Sequence, residues 1–573
     1  MKLLIVESPG KIKKIKSFLD SDWQVSASVG HIRDLPAKEL GIIFEEDKVQ
    51  LNYINSSDKA STIKNLKSLA NQAAEIYLAM DMDREGEAIA WHVGLVLGKT
   101  NWPKIKRIAF TEITKSAILK AIKAPRRVDA NLVNAQQARR ALDRLVGFKV
   151  SPVVWAAKNA GTSAGRVQSV AVRLVVERER EIRNFKVQNY FRIKANLFPE
   201  LKTDNFWAEL ITYDQKTLVS SIETGKEQKQ ITINSKKQAD ELMAEFKKNN
   251  WLVLSQKKEK QNKNPFPPFI TSTLQQASSV KLKWNAQKTM QVAQKLYENS
   301  AITYMRTDSP VISQEALEMV RDFIKKEFPK EYLPAKAHIF KAKGNNAQEA
   351  HECIRPINID QTPESIKGLT KEESDLYKLI WTQFVACQMA SALFNVMTID
   401  IQNGKGLFRA SGRQIAFDGW IRLTGSAAEA SKEKDKDAEE DEVPLLPAVK
   451  EGSNLNLLEQ KASEHKTKPP NHYTEATLIR TLEKYGIGRP STYAAIMANI
   501  KKRGYLKEEK RKFIAEPLGE TLVDLLMKKF NTSWMDYKFT SNLEESLDQV
   551  AEGKLNWHKL IINFNSELKS ILR

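Results

Sequence analysis

Residues 75–88 read EIYLAMDMDREGEA, and the change of texture between Met80 and Asp81 decides how the N-terminal part of the chain folds. Glu75–Met80 is a short apolar run of buried-strand type, while Glu85–Leu97 carries helical spacing. Between them stand Asp81, Asp83 and Glu85. A strand that ends in a turn and feeds a helix is where α/β sheets gather their ligands. Alternate carboxylates in that turn can converge on one hard cation, which takes oxygen donors. A solvated acidic turn is the plain alternative. An EF-hand loop starting at Asp81 would need Glu at its twelfth position, which is His92 here, and the flanking strand does not fit one.

Reading outward, Lys2–Val6 is a second β-rich run that ends at Glu7, and Ser8-Pro9 starts a helix. A parallel sheet would bring Glu7 beside the acidic turn. Lys11, one turn further on, would then face the same place; otherwise it is one more surface lysine. Downstream, Gly94-Leu-Val-Leu-Gly98-Lys99-Thr100 has three spacers between its glycines where a phosphate loop has four. It reads as a helix C-terminus capped by Gly98. With no nucleotide-hydrolysis motif, the chain is expected to work without ATP.

The 573 residues are too many for one hydrophobic core, so several domains are expected. Lys and Arg number 90 against 70 Asp and Glu, a net charge of +20 that favours a polyanionic partner, nucleic acid ahead of an anionic membrane surface. The two cysteines, Cys353 and Cys387, exclude a disulfide framework and a four-cysteine zinc site. The N-terminal apolar run is too short for a signal sequence, and no stretch approaches the roughly 20 apolar residues of a membrane span. A cytoplasmic protein without membrane contact is expected.

Texture divides the chain into an α/β unit (1–128), a helical segment (129–185), a β-rich segment (186–263), a helical block (264–390), a second β-rich segment (391–459) and a last helical region (460–573). Two β segments flanking a helical block suggest a β domain with a helical insert. The stretch KKEKQNKNPFPP (257–268) is basic and proline-rich, and Ser431–Glu442 is a charged low-complexity run read as a solvated linker.

Within the helical block, residues 303–309 read Thr-Tyr304-Met-Arg306-Thr-Asp308-Ser309. Tyr304 is one of 13 tyrosines and could be a packed aromatic. Arg306 changes that balance. A phenol of pKa about 10 is a poor nucleophile at neutral pH unless a cation favours its phenolate. An arginine fork also stabilises charge on phosphate oxygens better than a lysine point charge. A covalent tyrosyl phosphate would keep the energy of a broken diester.

Asn131–Phe148 reads as one helix, with Arg140 and Arg144 on one face and Arg139 and Asp143 on another. Ordinary ion-pair decoration is the plain reading. Ser163-Ala164-Gly165-Arg166-Val167-Gln168 sets small residues and an arginine before a helical run, where bare N–H groups bind phosphate. Arg489-Pro-Ser491-Thr492-Tyr493 suits another helix start, with Arg489 for charge and Tyr493 for a stacking face; Arg503 follows about three turns later. His31 and His351 could each be core histidines.

Strand–Glu7 followed by Asp81-x-Asp83-x-Glu85 resembles the Toprim domain of topoisomerases and primases. The run YMRTDS resembles the active-site motif of type IA DNA topoisomerases, and its methionine is similar to their bacterial branch. Gly30–Pro36, Ser163–Gln168, Pro267–Gln276, Glu349–Pro356 and Gly486–Tyr493 look like family blocks in family order, so the resemblance covers nearly the whole chain. It implies a multidomain fold of α/β, α and β parts: a Toprim domain, helical domains and a β-rich arch forming a toroid. It implies relaxation of negatively supercoiled DNA by a 5′-phosphotyrosine link on single-stranded DNA, strand passage and Mg2+-dependent resealing by a monomer. Carried onto this sequence, Tyr304, Arg306, Glu7 and Lys11 are catalytic, and Glu7, Asp81, Asp83 and Glu85 hold Mg2+. DNA contacts fall to His31, Arg139, Arg140, Asp143, Arg144, Ser163–Gln168, His351, Arg489, Ser491, Thr492, Tyr493 and Arg503. Bacterial members usually add zinc ribbons, which the sequence up to Arg573 does not contain. A primase, a decatenating topoisomerase III and a non-catalytic single-strand binder are the competing readings.

Overall fold

The structure, a computed structural model, describes residues 1–157, 163–223, 225–342, 352–425 and 444–572. Two expectations, the DNA contact at His351 and the acidic linker 431–442, lie outside the described residues.

Four short strands, Trp23–Ala27, Lys2–Val6, Glu75–Ala79 and Ile105–Arg107, lie side by side in that order as a parallel sheet. Lys2–Val6 and Glu75–Ala79 are almost fully buried, as strands covered on both faces must be, which is why they read as unbroken apolar runs. Val6 pairs in register with Ala79, so Glu7 and the acidic turn leave the sheet at the same edge. The helix Arg84–Leu97 then starts under an Asp83 cap, whose side chain accepts from Gly86 N at 2.9 Å, and stops at Gly98, whose φ of +88° few other residues tolerate.

The helices Ala130–Lys149 and Arg166–Asn184 share one core with the C-terminal helices Glu475–Lys484, Tyr493–Lys502, Pro517–Phe530, Tyr537–Ala551 and Trp557–Leu572. Segments more than 280 positions apart thus form one helical base. Between them, six strands close on themselves: 189–198, 206–213, 406–417, 392–403, 251–263 and 454–466, with the first pairing the second to complete the circuit. The closure is local. Trp251 and Leu252 pair with Leu455 and Asn454, after which Trp251–Lys263 pairs only with Ala392–Asn403, and Asn454–Lys466 only with Asn189–Phe198. The barrel therefore extends into two ribbons, which leave this short antiparallel ladder at opposite ends. One runs to the helical base and the other to a helical insert built on Thr271–Lys281, Ala286–Glu298, Gln314–Glu327 and Lys371–Ala386.

The insert folds back onto the N-terminal unit so closely that one apolar cluster contains Leu4, Val6 and Trp23 together with Leu296, Ile302 and Met305. Thr271–Lys281 and Ala286–Glu298 also touch the base helices. Contacts thus run in a closed circuit through N-terminal unit, base, barrel and insert.

Lys257–Lys263, the basic start of the stretch 257–268, continues the strand from Trp251 to the end of the expected β-rich segment, whereas the strand Asn454–Lys466 runs straight through the expected 459/460 boundary. Both strands are polar and largely exposed, so neither shows the one-sided apolar alternation by which strands are recognised. A hairpin, Leu506–Glu509 with Lys512–Ala515, interrupts the expected all-helical C-terminal region.

Candidate functional site

Tyr304 projects from the insert onto the acidic edge of the N-terminal sheet. Its backbone N–H bonds Thr111 O at 2.8 Å, and its hydroxyl donates to Asp83 Oδ2 at 2.9 Å. Asp83 thus has two duties, since its other oxygen caps the following helix. Arg306 Nη1 stands 3.8 Å from the same carboxylate, and Lys11, wholly buried, bonds Asp81 while its Nζ sits 4.9 Å from the ring centre of Tyr297. Glu7 completes the group. Burial, reinforced by Asp81 and Asp83, pushes its pKa up to about 7 against the pull of Lys11 and Arg306.

Arg306 was expected to favour the phenolate of Tyr304. It does act in that direction, but burial and the carboxylates of Asp83 and Asp81 outweigh it, and the phenol pKa is raised. In this closed arrangement Tyr304, 3 % exposed, is a neutral phenol with a carboxylate placed to receive its proton.

The expected four-carboxylate set is split. Glu85 turns to His31 Nε2 at 3.2 Å and Gln136 Nε2 at 3.1 Å. Burial would raise its pKa, but His31, Arg139 and Gln136 hold it down at about 2, and His31 is raised in turn. Among the described residues no three donors converge as a metal site would require. The oxygen donors of Asp81 and Asp83 suit a hard cation, and Glu7, whose pKa is raised first by burial and then by Asp81 and Asp83, is a third carboxyl that a cation there would hold ionised. Asp81, Asp83 and Glu7 therefore fit such an ion; Glu85, engaged with His31 and Gln136, fits it less well.

The groove residues also divide. Arg140 is half-buried and grips Asp34 through two bonds from Nη2, at 2.6 and 2.7 Å; Arg144 bonds the Glu39 and Leu40 carbonyls and lies over the Phe148 ring at 4.4 Å. Arg139 and Arg166 differ from expectation: both guanidiniums are buried and bonded to Glu544, with Asp143 accepting from Arg166 Nε at 3.1 Å. Arg489 is held by Asp548. Gly165 is the N-cap of the helix starting at Arg166, Ser163 and Ala164 are pinned by Tyr505 and Ser151, and Val167 is buried. With its amide turned to satisfy both faces, Gln168 Oε1 accepts from Arg503 Nη1 at 2.7 Å. Thr492 Oγ1 accepts from Arg489 N at 2.9 Å, and Ser491 is half-buried. Tyr493 is a correction. It is buried with Ile496, Met497 and Ile500, an i, i+3, i+4, i+7 stripe, so in this structure it packs the base core instead of offering a stacking face.

Sequence reading missed Glu544, Asp548 and Arg84, which join these arginines, and Arg107, whose buried guanidinium bonds the carbonyls of Met80 and Asp81 and so shapes the acidic turn. Glu544 and Asp548 were findable. They stand at i, i+4 beside the apolar stripe Leu543, Leu547 and Val550.

With the fold and the site in view, comparison with known proteins is decisive. The Toprim domain family matches residues 2–113 and the DNA topoisomerase family residues 127–562. DNA topoisomerase 1 of Campylobacter jejuni is 43% identical over 98% of this chain and 77% of that protein. The Pseudomonas aeruginosa DNA topoisomerase 1 is 42% identical over 100% of this chain and 66% of its own length. The structure of full-length topoisomerase I from Thermotoga maritima superposes with a TM-score of 0.83 at 34% identity, covering 100% of this chain and 90% of that one. The chain belongs to the type IA DNA topoisomerases, in the family of bacterial topoisomerase I.

Proposed function

We propose that this chain relaxes negatively supercoiled DNA without ATP by cutting one strand through Tyr304, passing the other strand through the break and resealing it. The observation that carries this reading is the 2.9 Å contact between the Tyr304 hydroxyl and Asp83, which joins the nucleophile of one domain to the acids of another. The phenol oxygen attacks a backbone phosphorus, an O–P bond to the DNA 5′ phosphate forms, and the bond to the 3′ oxygen breaks. Asp83 is placed to take the phenol proton. Glu7, poised near neutrality, or Lys11 supplies a proton to the leaving 3′ oxygen, and Arg306 offsets charge on the phosphate. One ester replaces another, so resealing runs the same steps backwards with no external energy.

The Toprim domain of type IA topoisomerases is a metal-binding fold. We assign Mg2+ to Asp81 and Asp83 with Glu7 beside them; when bound it offsets charge on the phosphate during resealing. We further read the enzyme as a monomer acting on single-stranded DNA, with Arg140, Arg144, Ser163–Gln168, Arg489 and Arg503 along the strand and His31 near the break. Among the described residues no helix is long and apolar enough to cross a membrane. Two buried free thiols suit a reducing cytoplasm.

Tyr304→Phe tests the chemistry. The variant should bind single-stranded oligonucleotide as wild type does, yet neither relax plasmid nor trap a covalent 5′-phosphate adduct; relaxation by that variant would falsify the assignment. Asp81→Ala with Asp83→Ala should abolish magnesium-dependent relaxation while leaving residual cleavage. Wild-type relaxation by the double variant in magnesium-limited buffer would withdraw the metal assignment.

A further inference from the structure

Glu544 and Asp548 lie one turn apart on the helix Tyr537–Ala551. Glu544, wholly buried, takes Arg139 Nη2 at 2.9 Å, Arg166 Nη1, and Arg489 Nη1 at 3.9 Å. Asp548 takes Arg489 Nη2 and Arg84 Nη2, each at 2.6 Å. With Asp143 on Arg166, four guanidiniums face three carboxylates, and the cluster keeps positive charge in a place shielded from water. Burial opposes the charge on Glu544, but Arg139, Arg166 and Arg489 hold its carboxyl far below the usual range.

Stability is a poor reason for such a cluster. A buried ion network gains little over well-packed apolar side chains of the same volume. This one is also incomplete: among the described residues Arg84 Nη1, Arg139 Nε and Arg166 Nη2 are buried with no hydrogen-bond partner. An unmet donor on a charged group is costlier than on a neutral one, and anionic oxygens are what would satisfy it. Arg84 moreover follows Asp83 directly, so the network reaches the acidic turn.

We propose that Glu544 and Asp548 are positioning residues: they hold Arg139, Arg166 and Arg489 as one rigid anion-binding fan for the DNA backbone, and tie that fan through Arg84 to the acidic turn. The proposal rests on the reading of Arg166 and Arg489 as DNA contacts and adds Arg139 to them. Three guanidiniums so close would repel one another apart without the shared carboxylate. Fixing them beforehand removes an ordering cost that binding would otherwise carry.

The test is Glu544→Gln in the full chain, titrated against a labelled single-stranded oligonucleotide between about 50 and 200 mM salt, with single-turnover cleavage measured at saturating DNA. Kd should rise at least tenfold, and the slope of log K against log salt should lose about 1.4, two phosphates at about 0.7 each. The saturated cleavage rate should fall by much less than the affinity. A merely structural role would lower the active fraction, hence the amplitude, and leave Kd and slope as in wild type. That result, or tighter binding, overturns the proposal. Arg166→Ala separates the two readings: if it too binds like wild type, the groove assignment fails, whereas weakened Arg166→Ala beside normal Glu544→Gln sinks the positioning role alone. Should Glu544→Gln lose its cooperative melt, Glu544→Asp, which keeps the charge but withdraws it by one methylene, is judged by the same criteria at a smaller, roughly threefold, effect.

Discussion

As the proposed nucleophile Tyr304 carries a proton that it must lose, and among the charges that weigh most on it Arg306 favours the loss while Asp83, Asp81 and Glu7 oppose it. The site can be closed and chemically quiet at once, with Asp83 already at the hydroxyl. Glu7 gives this a pH signature. Its folded pKa of about 7 lies above the 4.5 of an unperturbed glutamate, so the folded state binds the extra proton. The associated stability is full below about 4.5 and is lost as pH rises through about 7, amounting to about 3 kcal/mol before relaxation and screening reduce it. Glu7→Gln should therefore melt higher than wild type at pH 8 and no higher at pH 4, read by calorimetry. If Glu7 is the proton donor, the same substitution should also flatten the fall of oligonucleotide cleavage above pH 7. The meeting of groups at this scale was legible where residue type and spacing suffice, since the structure brings Tyr304 and Arg306 to Asp83 of the acidic turn. It was not legible at Arg139, Arg166 and Tyr493, because which side of a helix is buried depends on helices hundreds of positions away.

The acidic-turn helix shows how an element constrains its own active residues. A Cβ on Gly86 would lie 2.2 Å from the Asp81 carbonyl oxygen, a backbone atom gripped by Arg107. Neither side can yield without moving Asp81 or unmaking the Asp83 cap. Gly86→Ala should thus reduce relaxation at least a hundredfold and lower the melting temperature, where an alanine in a helix normally helps by up to about 1 kcal/mol. Near-wild-type relaxation by this variant would show that the turn is more compliant than it looks. The apolar strands and long amphipathic helices could be read from sequence because burial imposes their periodicity. The strand Asn454–Lys466 could not, since a strand exposed over much of its surface answers mainly to its pairing partners.

At the scale of the molecule, Tyr304 cannot both face the acidic edge and let a strand through. The insert must part from the N-terminal unit, breaking the apolar contact that joins Val6 and Leu4 to Ile302 and Leu296. Hinges of this kind concentrate dihedral change at a few element ends, and their opening often limits turnover. A reducible crosslink between exposed positions of Gly10–Lys16 and Ala286–Glu298, helices in contact across this seam, should stop plasmid relaxation yet permit cleavage of a short oligonucleotide, and reductant should restore relaxation. Cys353 and Cys387, both buried, should not compete for the reagent. Normal relaxation by fully crosslinked enzyme would place the gate elsewhere.

The short ladder in the barrel has a mechanical meaning. The ribbons that carry base and insert meet across a ladder of two residue pairs, Trp251 with Leu455 and Leu252 with Asn454, while each ribbon is held internally by a far longer ladder. The two strands run antiparallel and leave that ladder at opposite ends, so tension between insert and base slides one along the other and loads its few bonds together in shear, as the long ladders are loaded over many more. The molecule is built like two battens joined by a short lap. Under an opening force applied between insert and base, slip should begin at the lap, and lengthening it by a residue pair should strengthen the joint without touching any group that handles DNA.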